Sequence, residues 1–185
     1  MRRAAPLSLR AQALAWLAQR EHSRQELRNK LLRRAQAQAQ VQAQAHARAP
    51  THAPAEAEAR KAATCADEQA DAELPARVDA LLDALQVAGH LSDARFVDSR
   101  VHARQARFGN RRIEQELRSK GVQADDALRA SLRETELERA RAVWSARFGA
   151  PPADLREQAR QARFLAARGF TAATIQRLLR HRDED

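Results

Sequence analysis

Cysteine occurs once in this chain of 185 residues, at position 65, and tyrosine not at all; two tryptophans and five phenylalanines are its whole aromatic content. A lone thiol excludes an internal disulfide, and with it the small secreted scaffolds that bridges hold together. No stretch reaches the roughly eighteen consecutive apolar residues that a membrane-spanning helix needs, and Met1–Arg10 does not lead into the apolar run of a signal peptide. The expectation is a cytoplasmic protein with no membrane partner. Alternating runs of Val, Ile, Thr or Tyr bounded by Gly or Asn are missing too, which removes the usual signature of strands. With apolar content of 44% drawn largely from alanine, the chain suits several thin helical layers better than one thick core. The fold class is therefore expected to be all-α.

Catalytic and cofactor constellations are also absent. The five glycines form neither a phosphate-cradling loop ending in Lys-Ser or Lys-Thr nor a Gly-x-Gly-x-x-Gly turn. The histidines, His22, His46, His52, His90, His102 and His181, make no His-Glu-x-x-His pair and no Cys/His cluster at zinc spacing. His46, His52 and Cys65 share a low-complexity segment, which supplies neither fixed geometry nor supporting hydrogen bonds for a metal. Carboxylates are expected on helix surfaces at i, i+4 from bases, as Glu114 stands to Arg118. A protein without enzymatic activity, metal or other cofactor is the consequence.

What the chain has in quantity is positive charge, +9 net with a pI near 11.2, which favours a polyanion or an acidic protein surface as partner. The charge is uneven: residues 1–34 carry nine bases and two acids, 35–75 three bases and six acids, and 76–185 twenty-one bases and sixteen acids. Basicity thus belongs to the two ends of the chain and not to the segment between them.

Those basic regions repeat. In Arg112–Val122 a leucine, a base and an apolar residue stand at Leu117, Lys120 and Val122; ninety residues earlier they are Leu27, Lys30 and Leu32, and forty-eight later Leu165, Arg168 and Phe170. On a helix the leucine reaches a core while the base, three residues on, stays at its rim. Gly121 and Gly169 follow the base where a left-handed residue ends a helix. Ala106-Arg107-Phe108-Gly109 also recurs as Ala146-Arg147-Phe148-Gly149. Helical periodicity places a first helix around Leu9, Ala13, Trp16 and Leu17, and a second after the capping box Ser23-Arg24-Gln25-Glu26. Val78, Leu81, Leu82 and Leu85 mark a third, ended by Gly89. Ser92 caps a fourth that carries Phe96, Val97, Val101 and Phe108 to Gly109. Ile113 and Leu117 mark a fifth, and Leu128 and Leu132 a short sixth over Asp125–Leu132. Leu137, Trp144 and Phe148 mark a seventh, an eighth runs from Pro151 and Pro152, and Thr171 caps a ninth. Trp16 and Trp144 lie inside apolar stripes, where core packing is the expected role.

The domain organisation that follows is a first repeat from two helices in 1–34 and a third helix in 76–91, interrupted by a flexible Ala/Gln-rich insertion over 35–75. A second repeat spans 92–133 and a third 134–185. Nine helices in tandem groups of three would form an elongated, curved array. An arginine on such helices is usually a solvated surface residue. Placement singles out Arg111, Arg112, Arg118 and Lys120 on the fifth helix and its preceding turn, Arg163 and Arg168 on its proposed copy, and Lys30 in the first repeat. These seven are the candidate contacts for an anionic partner.

The run Glu21-His22-Ser23-Arg24-Gln25-Glu26-Leu27-Arg28-Asn29-Lys30-Leu31 resembles the first-repeat signature of the bacterial RecX regulatory family. So do Gly89-His90-Leu91-Ser92-Asp93-Ala94-Arg95-Phe96, Arg112-Ile113-Glu114-Gln115-Glu116-Leu117 with Lys120-Gly121-Val122, and Arg163-Phe164-Leu165-Ala166-Ala167-Arg168-Gly169-Phe170. The four stand in the family's order and cover about 8–34 and 76–180. The resemblance implies tandem three-helix repeats that bind the RecA recombinase and its filament on single-stranded DNA, restraining filament extension, ATP hydrolysis and strand exchange. It implies a role in recombination, DNA repair and the SOS response, and no catalytic residues. The chain departs from the family pattern in its long Ala/Gln insertion, and in having Thr135-Glu136 where an early aromatic is common. A monomer is expected. Two other partners compatible with the charge are DNA contacted directly and an acidic protein bound by a basic helical scaffold.

Overall fold

A computed structural model describes residues 7–48 and 72–180; Cys65, His52 and the Pro50–Pro54 break lie outside them. The described residues form eight α-helices and no strand. The chain divides into two compact units, Met1–Asp93 and Ala94–Asp185.

The first unit holds α1 (Leu9–Leu17), α2 (Arg24–Arg48) and α3 (72–87). Ser8 Oγ accepts from Ala11 N at 3.2 Å and Ser23 Oγ from Glu26 N at 3.0 Å, so both helix starts are capped by serine as their sequence requires. Leu27 and Leu31 of α2 pack with Ala13, Val78, Leu82, Leu85 and Leu91, all nearly or fully removed from solvent. Each such leucine contributes about 1.5–3 kcal/mol by burial, which makes this stripe the main support of the unit. Trp16 is partly buried at its edge. Helix α2 continues through the first part of the Ala/Gln-rich insertion to Arg48, because both residues are good helix formers and nothing interrupts them. Gly89, at φ 72°, turns the chain out of α3.

In the second unit α4 (Asp93–Gln105), which opens at the boundary, is followed by α5 (Asn110–Ser119) and α6 (Asp126–Arg147). Next come α7 (Leu155–Ala167) and α8 (Ala172–Arg180). The sixth and seventh expected helices are one: Arg133–Thr135 contains no glycine or proline, and α6 runs through it without a break. Helix α7 begins three residues after Pro152, because Asp154 takes the capping position and accepts from Glu157 N at 2.7 Å. Helix α4 ends four residues before Gly109. Two cores result, one around Phe96, Ile113, Leu117 and Leu132, the other around Ala140, Trp144, Leu165, Phe170 and Leu178. Residues on both sides of the middle of α6 therefore serve different cores. Gly121 and Gly169, at φ 76° and 83°, end α5 and α7 in the left-handed conformation their place after a base predicts.

Candidate interaction site

The second unit's cations are positioned by a joint in which two backbones touch. Gly109 N donates to Arg168 O and Arg111 N to Gly169 O, each at 3.0 Å. A Cβ on Gly109 would lie 2.3 Å from Phe170 N, and one on Gly169 only 2.5 Å from Arg112 Cβ. Gly109 is thus the N-cap of α5 and a point of close approach, rather than the end of α4.

A carboxylate completes the joint. Glu136, 2% exposed, accepts from Asn110 N at 3.1 Å and Thr171 N at 3.2 Å. It also takes the hydroxyls of Thr171 and Thr174, each at 2.7 Å. One side chain of α6 so satisfies donors at the starts of both α5 and α8, where the helix dipoles favour negative charge. Arg139, one turn on, donates to Phe108 O at 2.9 Å, Leu132 O at 2.8 Å and Asn110 Oδ1 at 2.6 Å. Burial pushes the Arg139 guanidinium below its ordinary value, and the charge of Glu136 acts in the opposite sense. This corrects the view of carboxylates as surface residues. A signal was present: Leu132, Glu136, Ala140 and Trp144 recur every four residues, so position 136 falls on the buried stripe of α6.

The candidate cations gather around this joint in part. Arg111 and Arg112 occupy the first turn of α5 and are exposed; the Arg112 guanidinium lies 4.7 Å from the centre of the Phe108 ring and reaches Ala167 O at 3.5 Å. Arg168, the C-cap of α7, stacks over Phe164 at 3.7 Å. Arg112 and Arg168 are thus brought to the same seam. Arg118 and Lys120 sit at the opposite end of α5, about 12 Å along its axis. Arg163 is exposed on α7. Lys30 belongs to the other unit, where its ammonium lies 4.7 Å from the Trp16 ring. Arg111, Arg112, Arg118, Arg163 and Arg168 have no carboxylate partner among the described residues, and the expected Glu114–Arg118 pair does not form. No group of three or more His, Cys, Asp or Glu suited to a metal occurs among the described residues, and none of their helices is long and apolar enough to cross a membrane.

Residues 92–130 match the model of the second three-helix domain of RecX, and residues 134–179 that of the third. The chain is 40% identical to the regulatory protein RecX of Ralstonia nicotianae over 181 residues, 96% of this chain and 90% of that one. It belongs to the RecX family. A further RecX regulatory protein, from Leptothrix cholodnii, is 58% identical over 104 residues, 55% of this chain and 66% of its own length. The crystal structure of RecX from Lactobacillus salivarius shares the fold at a TM-score of 0.62 and 17% identity, with 96% of each chain covered. The joint around Glu136 accordingly lies where the second and third RecX three-helix domains meet, and the role of the chain is that of a RecX regulatory protein.

Proposed function

We propose that this RecX-family chain binds the RecA recombinase filament on single-stranded DNA and restrains its extension, its ATP hydrolysis and strand exchange, without chemistry of its own. The observation that carries this reading is the seam between the second and third domains, where Arg112 and Arg168 converge without carboxylate partners. A guanidinium held on an aromatic face is oriented in advance, so its planar fork meets a carboxylate or a phosphate at little entropic cost. Arg111, Arg118, Lys120, Arg163 and Lys30 extend the contact, and spreading weak sites over three repeats (1–34 with 76–91, 92–133 and 134–185) makes the binding multivalent. The protein acts in the cytoplasm as a monomer.

Binding to single-stranded DNA, to RecA alone and to RecA-coated DNA, measured while ATP turnover is followed, tests the reading. Preference for the coated DNA with falling turnover is expected. Unchanged turnover at saturating protein would overturn it, and equal affinity for bare DNA that falls steeply with salt would identify a direct DNA binder instead.

A further inference from the structure

Helices α7 and α8 carry an apolar groove that none of the candidate cations lines. Its floor is Leu155, Ala159 and Ala162 of α7 with Ile175 and Leu179 of α8, its rim includes Arg180, and its volume is about 320 Å³. Leu155 is 83% exposed although α7 offers a core on its other side. Leu155 and the neighbouring exposed Ala159 leave aliphatic surface in water above the nearly buried Ile175 (7%) and Leu179 (4%), where an apolar side chain of a partner can be seated.

We infer that this groove receives an acidic, aliphatic-anchored helix of a protein partner. Charge argues for the acidity: from Leu155 to Arg180 there are six arginines and one acid, Glu157, whose carboxylate is held by Arg160 at 2.7 Å. Arg156, Arg163, Arg177 and Arg180 are exposed, and the described residues offer them no carboxylate. Shape argues for a helix, because Leu155, Ala159 and Ala162 stand at i, i+4 and i+7. The two alanines lower the floor between larger neighbours, so a single row of partner side chains at the same spacing fits along it. Nucleic acid would use the arginines but gains nothing from an aliphatic floor without an aromatic face. A second copy of this chain would bring the same basic hairpin against its like. The inference does not rest on the recombinase reading, with which it shares only Arg163, and its test needs only this chain and a peptide.

The test is fluorescence anisotropy with the full chain and a labelled helical peptide bearing leucines at i, i+4 and i+7 and glutamates elsewhere. Replacing those leucines by serine should weaken binding about tenfold or more, and Leu155→Ser, at an exposed position, should cost about tenfold with unchanged circular dichroism. Arg180→Glu should lower the affinity and its salt dependence. Equal binding of the leucine and serine peptides would overturn the proposal. So would displacement of the peptide by a single-stranded oligonucleotide whose own affinity falls on Leu155→Ser. Absence of peptide binding together with self-association that Leu155→Ser abolishes would assign the groove to a second copy.

Discussion

The two units use their charges in opposite ways. In the first, Arg20 holds Glu26 at 2.8 Å, Arg24 holds Asp83 at 2.7 Å and Arg28 holds Asp79 at 2.6 Å, so the cations help to fasten its helices. In the second, the decisive acid, Glu136, is spent on backbone N–H groups and threonine hydroxyls, and two glycines bring two backbone segments into contact. Some arginines there are still paired, Arg100 and Arg104 with Glu116 among them, but those at the seam are not. Where main-chain contact, Glu136 and Arg139 hold the joint, Arg112 and Arg168 at its surface are left without a carboxylate among the described residues. Net charge alone does not separate a fastening cation from an available one.

Gly109→Ala should give the largest effect, about 4 kcal/mol or more of lost stability, because the Cβ would press on main-chain atoms that have no rotamer to yield. Hydrogen exchange resolved by unit should show the loss in the second unit, with the first unaffected. Glu136→Ala should cost about 3 kcal/mol in the same measurement, since it strands two helix-start N–H groups and leaves Arg139 beside an emptied site. Either substitution placing its effect in the first unit would break the contrast.

Affinity for RecA-coated DNA sharpens it further. The double substitution Arg118→Glu and Arg163→Glu, at two exposed positions, should reduce binding about tenfold with unfolding unchanged. Arg28→Gln should leave affinity unchanged while loosening its hold on α3. Asp79, whose carboxyl the Arg28 guanidinium draws below the ordinary range, stabilises the fold above about pH 4, and that contribution is lost as pH falls through its lowered value. Equal losses of affinity from both would mean that availability of the guanidinium is not what selects the contact.

The smallest effect is a pH slope confined to the first unit. Burial pushes the His22 imidazole below its ordinary value, despite the Glu26 carboxylate at 3.0 Å from Nδ1. The unfolded chain, titrating near about 6.5, then binds more protons, so stability should fall as pH drops from about 7 towards 5. His22→Asn should flatten that slope in a denaturant titration, and an unchanged slope would assign it to another group.

Much of the architecture was legible. Apolar spacing located Leu27, Leu31, Ile113, Leu117 and Leu165 in cores, and the base–glycine pairs located the left-handed turns at Gly121 and Gly169. Two features escaped for physical reasons. The join of the expected sixth and seventh helices was hidden because a change of core along α6 leaves no break in helix propensity. The seam was hidden because it depends on contacts sixty residues apart, as between Gly109 and Gly169, and because a glycine that admits a neighbouring backbone reads in sequence like one that ends a helix. Of the seven cations, the repeat spacing found Arg168 and motif placement Arg112, but the separation of the two ends of α5 becomes apparent only when the helix is laid out in space.

Because Glu136 follows the second repeat in sequence yet holds the start of α5 within it, the border between repeats is not a place where the gene can be cut. A fragment ending at Arg133 would retain every residue of the second three-helix domain and lose the acid that seats its last-but-one cap. Chimeras that exchange third repeats between relatives should therefore succeed only when Gly109, Glu136, Gly169 and Thr171 travel as one set, an inheritance unit that straddles the module it appears to separate.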